Sequence, residues 1–211
     1  MPRFIPMCVF IMVLTIFAGT AVADKKDEIK KEGYEKLPVQ TKVLAPDQLE
    51  ASLFFWYGCG GCYKVEKALA ERGNTWPAGV TLMRMPALSN HVWSLHGRIY
   101  LALESMGVPT ETHLAVFEAF QHQGVRVMGR EDLPELIKIL NINGADFMKA
   151  FDSPEVAARM DQISRLITAY DIKMVPAMVV NGQYKYDLGT VKGVNGFISM
   201  AEELIAKSAE K

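Results

Sequence analysis

The chain has little cysteine: three residues in 211, namely Cys8, Cys59 and Cys62. So few cysteines exclude the dense disulfide framework that stabilises many small secreted domains. They also exclude a zinc site built from two Cys-x-x-Cys pairs, because one such pair supplies only half of the ligands that a closed zinc site needs. The Cys59–Cys62 pair must therefore be explained by its own chemistry.

An excess of either charge is also absent. Lys and Arg number 23 and Asp and Glu number 24, so the formal net charge at pH 7 is −1. Nucleic-acid binding relies on a basic face that neutralises phosphates, and this composition therefore argues against a nucleic-acid partner. It gives no support for a polybasic contact with a membrane either.

Long apolar segments are lacking after the first 23 residues, which have the three parts of a secretory signal peptide. Arg3 supplies the positive start, residues 8–17 are almost uninterruptedly apolar, and residues 21–23 form a small-x-small cleavage pattern. The apolar run is shorter than the roughly 20 residues of a membrane span. We predict cleavage after residue 23 and release as a soluble protein. The alternatives are an uncleaved N-terminal anchor and, less favoured because Cys8 begins the apolar run, a lipid anchor on that cysteine.

The rest of the chain is long enough for one well-packed domain. Residues 24–36 are charged and poor in apolar groups, so we expect them to be a mobile lead-in. We expect the domain to cover residues 37–211 and to contain a helical insertion at about 88–170.

The predicted elements follow the order strand, strand, helix, strand, five helices, strand, strand, helix. The strand–helix–strand start is typical of a parallel crossover, and Asn181-Gly182 between the last two strands is typical of a hairpin. This order predicts an α/β fold with a mixed central sheet. The predicted strands are 39–44, 51–57, 80–85, 176–180 and 183–186, and the predicted helices start near 62 and cover 91–106, 111–123, 131–140, 144–151, 154–170 and 194–207.

Cys59 and Cys62 lie where strand-forming residues give way to a helix. The first-turn N–H groups lack partners and the helix dipole favours negative charge, so a thiolate at Cys59 is stabilised. Cys62, about one turn further, is close enough to attack a mixed disulfide at Cys59. Gly60 and Gly61 permit the tight turn and leave Cys59 open to a bulky partner. We therefore predict thiol–disulfide exchange, with no metal and no cofactor beyond the disulfide of this pair.

A structural disulfide and a metal site are the two competing interpretations of the pair. Closing so short a loop constrains little of the unfolded chain, which disfavours a structural disulfide. A metal site would need further ligands, and all the histidines fall in the predicted helical block: His91, His96, His113 and His122. A non-catalytic copper carrier with Met174 as a soft third ligand stays open as an alternative.

Two further motifs are Phe-Trp-Tyr-Gly-Cys-x-x-Cys-Tyr at 55–63 and Val-Pro-Ala-Met-Val-Val-Asn-Gly at 175–182. Together they resemble the DsbA family of bacterial periplasmic dithiol oxidases. The helical insertion and the Arg-Met-Pro-Ala segment at 84–87, followed by a helix with Trp93, also fit. The resemblance covers about residues 34–206 and implies a thioredoxin fold interrupted by a helical subdomain.

The same resemblance implies a site and a function. Val175-Pro176 is expected to be a cis peptide that faces the cysteines and binds an extended substrate segment through its backbone. The protein is expected to transfer its disulfide to newly exported polypeptides in the periplasm, through a mixed disulfide at Cys59 that Cys62 resolves. A membrane redox partner of the DsbB type and a monomeric state are also implied.

A periplasmic reductant or an isomerase-like exchanger is the alternative within this chemistry. Periplasmic isomerases usually dimerise through an extra N-terminal domain, and residues 24–50 are too few to form one. A periplasmic reductant therefore remains an alternative function.

Two positions depart from the family pattern. Gly60 and Gly61 stand where the family usually carries Pro-His, whose histidine helps to hold the thiolate, and Leu53 stands where a buried acid is often found. Without that histidine, the reduced form loses one stabilising donor, and a less stabilised thiolate makes a weaker oxidant.

We therefore predict a milder oxidant than a typical family member, with a higher pKa at Cys59. Titration of Cys59 by thiolate absorbance checks this prediction. The pKa is expected to lie well above about 4, the low extreme for such motifs, and a value below that would contradict it.

Overall fold

The computed structural model describes residues 32–38 and 48–210. The strands are β1 (Glu35–Lys36), β2 (Leu49–Phe55), β3 (Val80–Pro86), β4 (Ala177–Val180) and β5 (Tyr184–Asp187). The helices are α1 (Gly60–Glu71), α2 (His91–Ser105), α3 (Thr110–Gln121), α4 (Leu133–Leu140), α5 (Gly144–Phe151), α6 (Pro154–Ala169) and α7 (Gly193–Ala209), and a 3₁₀ turn (Arg130–Asp132) precedes α4.

The strands form one mixed sheet in the order β1-β5-β4-β2-β3. β2 and β3 are parallel and are joined by α1, whereas β2–β4, β4–β5 and β5–β1 are antiparallel pairs. β2 therefore has a partner on each side and is buried along almost its whole length. This central place explains why its sequence shows little alternation between polar and apolar residues.

Side chains of β4 alternate between two hydrophobic cores. Ala177 and Val179 belong to the core shared with α2–α6, whereas Met178 and Val180 belong to the core shared with α1 and α7. Neighbouring residues of a strand point to opposite faces, so a strand buried at every position must be covered on both sides. The sheet is therefore a central layer between two layers of helices.

Five helices, α2 to α6, separate β3 from β4 in the chain. They pack on one another and on the sheet through fully buried side chains such as Phe117, Leu133 and Phe147. The predicted fold class, a mixed sheet flanked by helices with a helical insertion, is confirmed. In the part of the chain that the structure describes, no helix combines the length and the apolar character of a membrane span.

The structure differs from the sequence prediction near the N-terminus. Residues 24–36 were predicted as a mobile lead-in, but Glu35–Lys36 at its end form β1, with Glu35 opposite Lys185 of β5. Tyr34 just before it is buried, with its ring 5.4 Å from that of Tyr184 in an edge-on contact. This pairing was missed because the strand is only two residues long and its sequence is charged. The predicted strand 39–44 and the predicted signal peptide lie outside the described residues.

The predicted hairpin connects β4 and β5. Asn181 and Gly182 both have positive φ, 50° and 64°, and the N–H of Gln183 donates to the carbonyl of Val180 at 2.9 Å. Positive φ at two successive residues is what a tight turn of primed type requires, and Asn-Gly is the sequence that tolerates it. The hairpin matters for the site because β4 begins directly after Pro176.

Replacing Gly182 by alanine tests this turn. A Cβ at positive φ is strained, so Gly182→Ala is expected to lower the free energy of unfolding by about 1 kcal/mol or more. Gly196→Ala is the matched control, because Gly196 lies inside α7 and a Cβ there meets its nearest atom at 3.6 Å. Its free energy of unfolding is expected to rise by up to about 1 kcal/mol. Urea unfolding measures both; equal effects of the two substitutions would contradict the assignment.

Candidate active site

Cys59 is the N-cap residue of α1. Its backbone is extended, and its sulfur accepts a hydrogen bond from the backbone N–H of Cys62 at 3.1 Å. This contact satisfies one of the N–H groups that lack a partner at every helix start. Gly60, the first residue of the helix, is exposed, and a Cβ there would meet only Gln121 Oε1, at 3.6 Å. The side of Cys59 next to Gly60 is therefore open.

The surroundings of Cys59 lower the pKa of its thiol to about 7. The largest cause is the hydrogen bond with the Cys62 side chain; burial of Cys59 opposes it, and the backbone N–H groups of Cys62 and Gly61 add to it. The lowered pKa favours the thiolate, the nucleophilic form, near neutral pH. The comparison with a typical family member that Gly60 and Gly61 suggest stays a prediction.

Cys62 has a different environment, since only 1% of its surface is exposed. Burial is the largest cause that raises its pKa, and the hydrogen bond and charge at Cys59 raise it further. Both Cys59 and Cys62 are free thiols in the structure, and Cys59 is only half-buried. A bulky partner can therefore reach Cys59 but not Cys62.

The loop before β4 faces the cysteines. The Val175–Pro176 peptide is cis, as the resemblance implied, and the carbonyl oxygen of Val175 lies 3.6 Å from Sγ of Cys59. A Cβ on Gly61 would lie 3.3 Å from Pro176 Cδ and 3.2 Å from Leu188 Cδ2. The missing side chain at Gly61 thus lets the start of α1 approach this loop. The fold brings these groups together although Cys59 and Val175 are 116 positions apart in the chain.

Residues 56–59 form a turn that leads into α1, and α3 holds this turn. The N–H of Cys59 donates to the Trp56 carbonyl at 3.0 Å, and Nε2 of Gln121 donates to the Tyr57 carbonyl at 2.9 Å. The Tyr57 hydroxyl lies 2.8 Å from Nδ1 of His113. Burial is the main cause that lowers the pKa of His113 to about 4, so this ring is neutral near pH 7. The helical insertion therefore helps to shape the approach to Cys59.

Glu66 of α1 is buried, although charged residues of a surface helix, such as Glu66 and its neighbour Lys67, are ordinarily expected on the solvated side. Glu66 is only 4% exposed, and Nε of Arg84 donates to its two carboxylate oxygens at 2.9 and 3.0 Å. Lys67 is exposed, as expected. The signal that could have found Glu66 is its spacing: Cys62, Glu66 and Leu69 follow each other at the intervals of one helix face.

The Glu66–Arg84 pair borders a cavity of about 150 Å³. Tyr57 and His113 also line this cavity, and Asn74 Oδ1 accepts a further hydrogen bond from Arg84 at 2.8 Å. Because buried charges are costly unless paired, the guanidinium and carboxylate must be retained together. A polar region therefore lies behind the active-site helix.

Within residues 32–38 and 48–210, no group of three or more His, Cys, Asp or Glu side chains is placed to hold a metal ion. His96 and His113 instead have hydrogen-bond partners of their own in the protein. Met174, the residue considered as a soft ligand, is 56% exposed next to Val175.

Comparison with known proteins adds to this geometry. Residues 83–204 match the family described as DSBA-like thioredoxin domain. The chain is 34% identical over 197 residues to the thiol:disulfide interchange protein DsbA of Pseudomonas syringae pv. tomato, covering 93% of this chain and 92% of that protein. It is 36% identical over 172 residues to the protein of the same name from Azotobacter vinelandii, covering 82% and 80%.

A solved structure agrees with these relatives. The crystal structure of Pseudomonas aeruginosa DsbA superposes with a TM-score of 0.79 at 33% identity, covering 84% of this chain and 94% of that one. The chain belongs to the DsbA-like thioredoxin family. It is therefore a thiol:disulfide oxidoreductase with a thioredoxin fold, as the two sequence motifs indicated. Gly60, Gly61 and Leu53 are the positions named above as departures from the usual pattern of the DsbA family.

Removing the Glu66 carboxylate tests the buried pair. In Glu66→Gln the Arg84 guanidinium loses its counter-charge, so the free energy of unfolding is expected to fall by roughly 2 kcal/mol or more. Lys67→Gln, an exposed change on the same helix, is the control and is expected to change it by less than about 0.5 kcal/mol. Urea unfolding of the reduced protein measures both. Equal effects would show that the Glu66 carboxylate is not in a buried pair.

Proposed function

We propose that Cys59 and Cys62 are the catalytic pair of a periplasmic dithiol oxidase, with Cys59 as the sulfur that forms mixed disulfides with client proteins. The observation that carries this proposal is the difference between the two thiols. Cys59 is reachable and accepts the Cys62 N–H at 3.1 Å, whereas Cys62 is 1% exposed. A nucleophile needs access and a stabilised thiolate, and only Cys59 has both.

The oxidising reaction consists of two exchanges. A client thiolate attacks Cys59 in the Cys59–Cys62 disulfide, so one S–S bond forms, the other breaks, and Cys62 leaves as a thiolate that takes up a proton. A second client thiolate then attacks the client sulfur of the mixed disulfide and releases Cys59. Two electrons pass from the client to the protein. In the opposite, reducing direction, Cys62 is the thiolate that resolves the mixed disulfide. The resolving role expected for Cys62 from the resemblance therefore applies to this direction and not to the oxidation of clients.

Val175 and Pro176 are proposed to bind the client chain next to Cys59. The Val175 carbonyl lies 3.6 Å from the reacting sulfur, just before β4, where an extended segment can pair with backbone groups. This contact is independent of the client's side chains. It suits an enzyme that accepts many newly exported polypeptides.

The environment of Cys59 supports a mild oxidant. A Cys59 pKa of about 7 means that the thiolate is stabilised less strongly than it would be at a pKa near 4. Because a more stable reduced form makes a stronger oxidant, this weaker stabilisation corresponds to a milder oxidant. Gly60 and Gly61 offer no side-chain donor to the sulfur. Repeated oxidation of clients requires an electron acceptor, for which we propose a membrane redox partner of the DsbB type, with the enzyme acting as a monomer exported by its N-terminal signal.

Reaction with glutathione tests both the roles of Cys59 and Cys62 and the oxidising or reducing direction of the protein. With glutathione disulfide at neutral pH, Cys62→Ser is expected to accumulate a mixed disulfide at Cys59, whereas Cys59→Ser is expected to react far more slowly at its buried thiol. Mass spectrometry of the intact variants measures both. Equal labelling of the two variants would contradict the assigned roles.

The redox equilibrium of the wild-type pair with glutathione then decides direction. A reduction potential between about −120 mV, an oxidase value, and about −200 mV is expected; a value near −270 mV would make the protein a thioredoxin-like reductant. Metal analysis of the reduced protein is a parallel check. Stoichiometric copper that survives dialysis would favour a carrier instead.

A further inference from the structure

The Trp56 indole lies against the turn that carries Cys59. A Cβ on Gly58 would lie 2.2 Å from Cζ2 of Trp56, so the ring is in direct contact with the Gly58 backbone. Its other contacts come from α2: the Trp93 ring is stacked at a centroid distance of 4.5 Å and an angle of 12°. The position of the indole and that of the Gly58 backbone therefore depend on each other.

His96 fixes the orientation of this indole. Nε1–H of Trp56 donates to Nδ1 of His96 at 2.9 Å, and Nε2 of His96 lies 2.9 Å from the Val127 carbonyl. Because Nδ1 is the acceptor, the ring proton must be on Nε2, which donates to Val127. The histidine is thus neutral, and burial, which leaves it 6% exposed, is the main cause that lowers its pKa.

The turn at residues 56–59 connects the restrained Trp56 indole to the sulfur of Cys59. The Cys59 N–H donates a hydrogen bond to the Trp56 carbonyl at 3.0 Å. Trp56, whose indole is oriented by His96, therefore also closes the turn through its backbone. The Cys62 N–H, 3.1 Å from Sγ of Cys59, is one of the groups that stabilise the thiolate, beside the larger contribution of the Cys62 side chain. A turn that moves more freely would spend less time in that geometry.

We propose that His96 is a positioning residue for thiol–disulfide exchange, acting through the Trp56 indole to hold residues 56–59 in the arrangement that keeps Cys59 next to the Cys62 N–H. This inference rests on the proposed role of Cys59 and adds to it a residue on α2 that does not touch the reacting atoms. No function was predicted for His96 from the sequence. Trp93 and His96 are three apart, so they share one face of α2, which is the only sequence signal for the arrangement.

Substitutions of His96 separate positioning from packing alone. His96→Asn places an acceptor oxygen where Nδ1 was and keeps the Trp56 contact, whereas His96→Gln can still donate to Val127 but offers Trp56 no acceptor at that place. Loss of the Trp56 contact is expected to raise the pKa of Cys59 by about half a unit, a fraction of the full worth of a hydrogen bond to a charged group.

Alkylation of Cys59 by iodoacetamide provides the measurement. At about pH 6, below the Cys59 pKa of about 7, the rate follows the thiolate fraction, so half a unit slows alkylation about threefold. His96→Gln is expected to show this slowing, and His96→Asn to react at nearly the wild-type rate. His91→Ala, an exposed histidine at the start of the same helix, is the control and is expected to leave the rate unchanged.

Trp56→Phe removes the same hydrogen bond by taking away its donor, the indole N–H of Trp56. It keeps an aromatic ring for stacking on Trp93 but has no N–H for His96, so the same threefold slowing is expected. In the Trp56→Phe/His96→Gln double variant, the effects are expected not to multiply, because both changes remove one interaction. Circular dichroism shows that each variant is folded, and Trp56→Phe provides the test if His96→Gln does not fold.

The outcomes separate this inference from the proposed function. If the folded variants alkylate at the wild-type rate, or if the double variant is slowed about ninefold, the product of two independent threefold effects, the positioning role is wrong. If wild-type protein is alkylated first at Cys62, both the inference and the assigned role of Cys59 are wrong. If slowing occurs with the expected pattern, its pH dependence should shift to higher pH without a change in the limiting rate.

Discussion

The stabilisation of the Cys59 sulfur by Cys62 is the interaction on which the chemistry depends. The hydrogen bond with the Cys62 side chain contributes most, and the Cys62 N–H donates a second one at 3.1 Å. The backbone contact exists because Cys59 is the N-cap of α1, where the helix has N–H groups without acceptors. The same geometry makes the two thiols unequal: the outer one is stabilised as a thiolate and the inner one is buried. A shift of one residue in the start of α1 would remove this difference. The sheet, through β2, sets where α1 begins.

The helical insertion contributes to the site through side chains on its first two helices. His96 from α2 orients Trp56, and Gln121 from α3 binds the Tyr57 carbonyl. His113 from α3 contacts the Tyr57 hydroxyl. These contacts all act on the turn before Cys59, so the insertion restrains the segment that carries the reacting sulfur.

A buried pair of opposite charges lies behind α1. Leu53 is apolar where the family often has an acid, and it is fully buried on β2. A carboxylate is nevertheless present nearby, since Glu66 on α1 is buried and paired with Arg84 on β3. The pair joins the active-site helix to the edge strand of the parallel pair. The two charges can stay buried because each neutralises the other, whereas either group alone would be an unpaired buried charge.

Features that depend on neighbouring residues could be predicted from the chain alone: the strand–Cys-x-x-Cys–helix order, the Asn-Gly hairpin and the helical segments. Local backbone preferences and the intervals between apolar residues are enough for these. Three other features needed the folded structure: the burial of Glu66, the hydrogen bond between His96 and Trp56, and the strand at Glu35–Lys36. Each of them depends on contacts between segments far apart in the chain. A local spacing, such as that of Cys62, Glu66 and Leu69, marks one face of a helix but does not identify the partner on another segment.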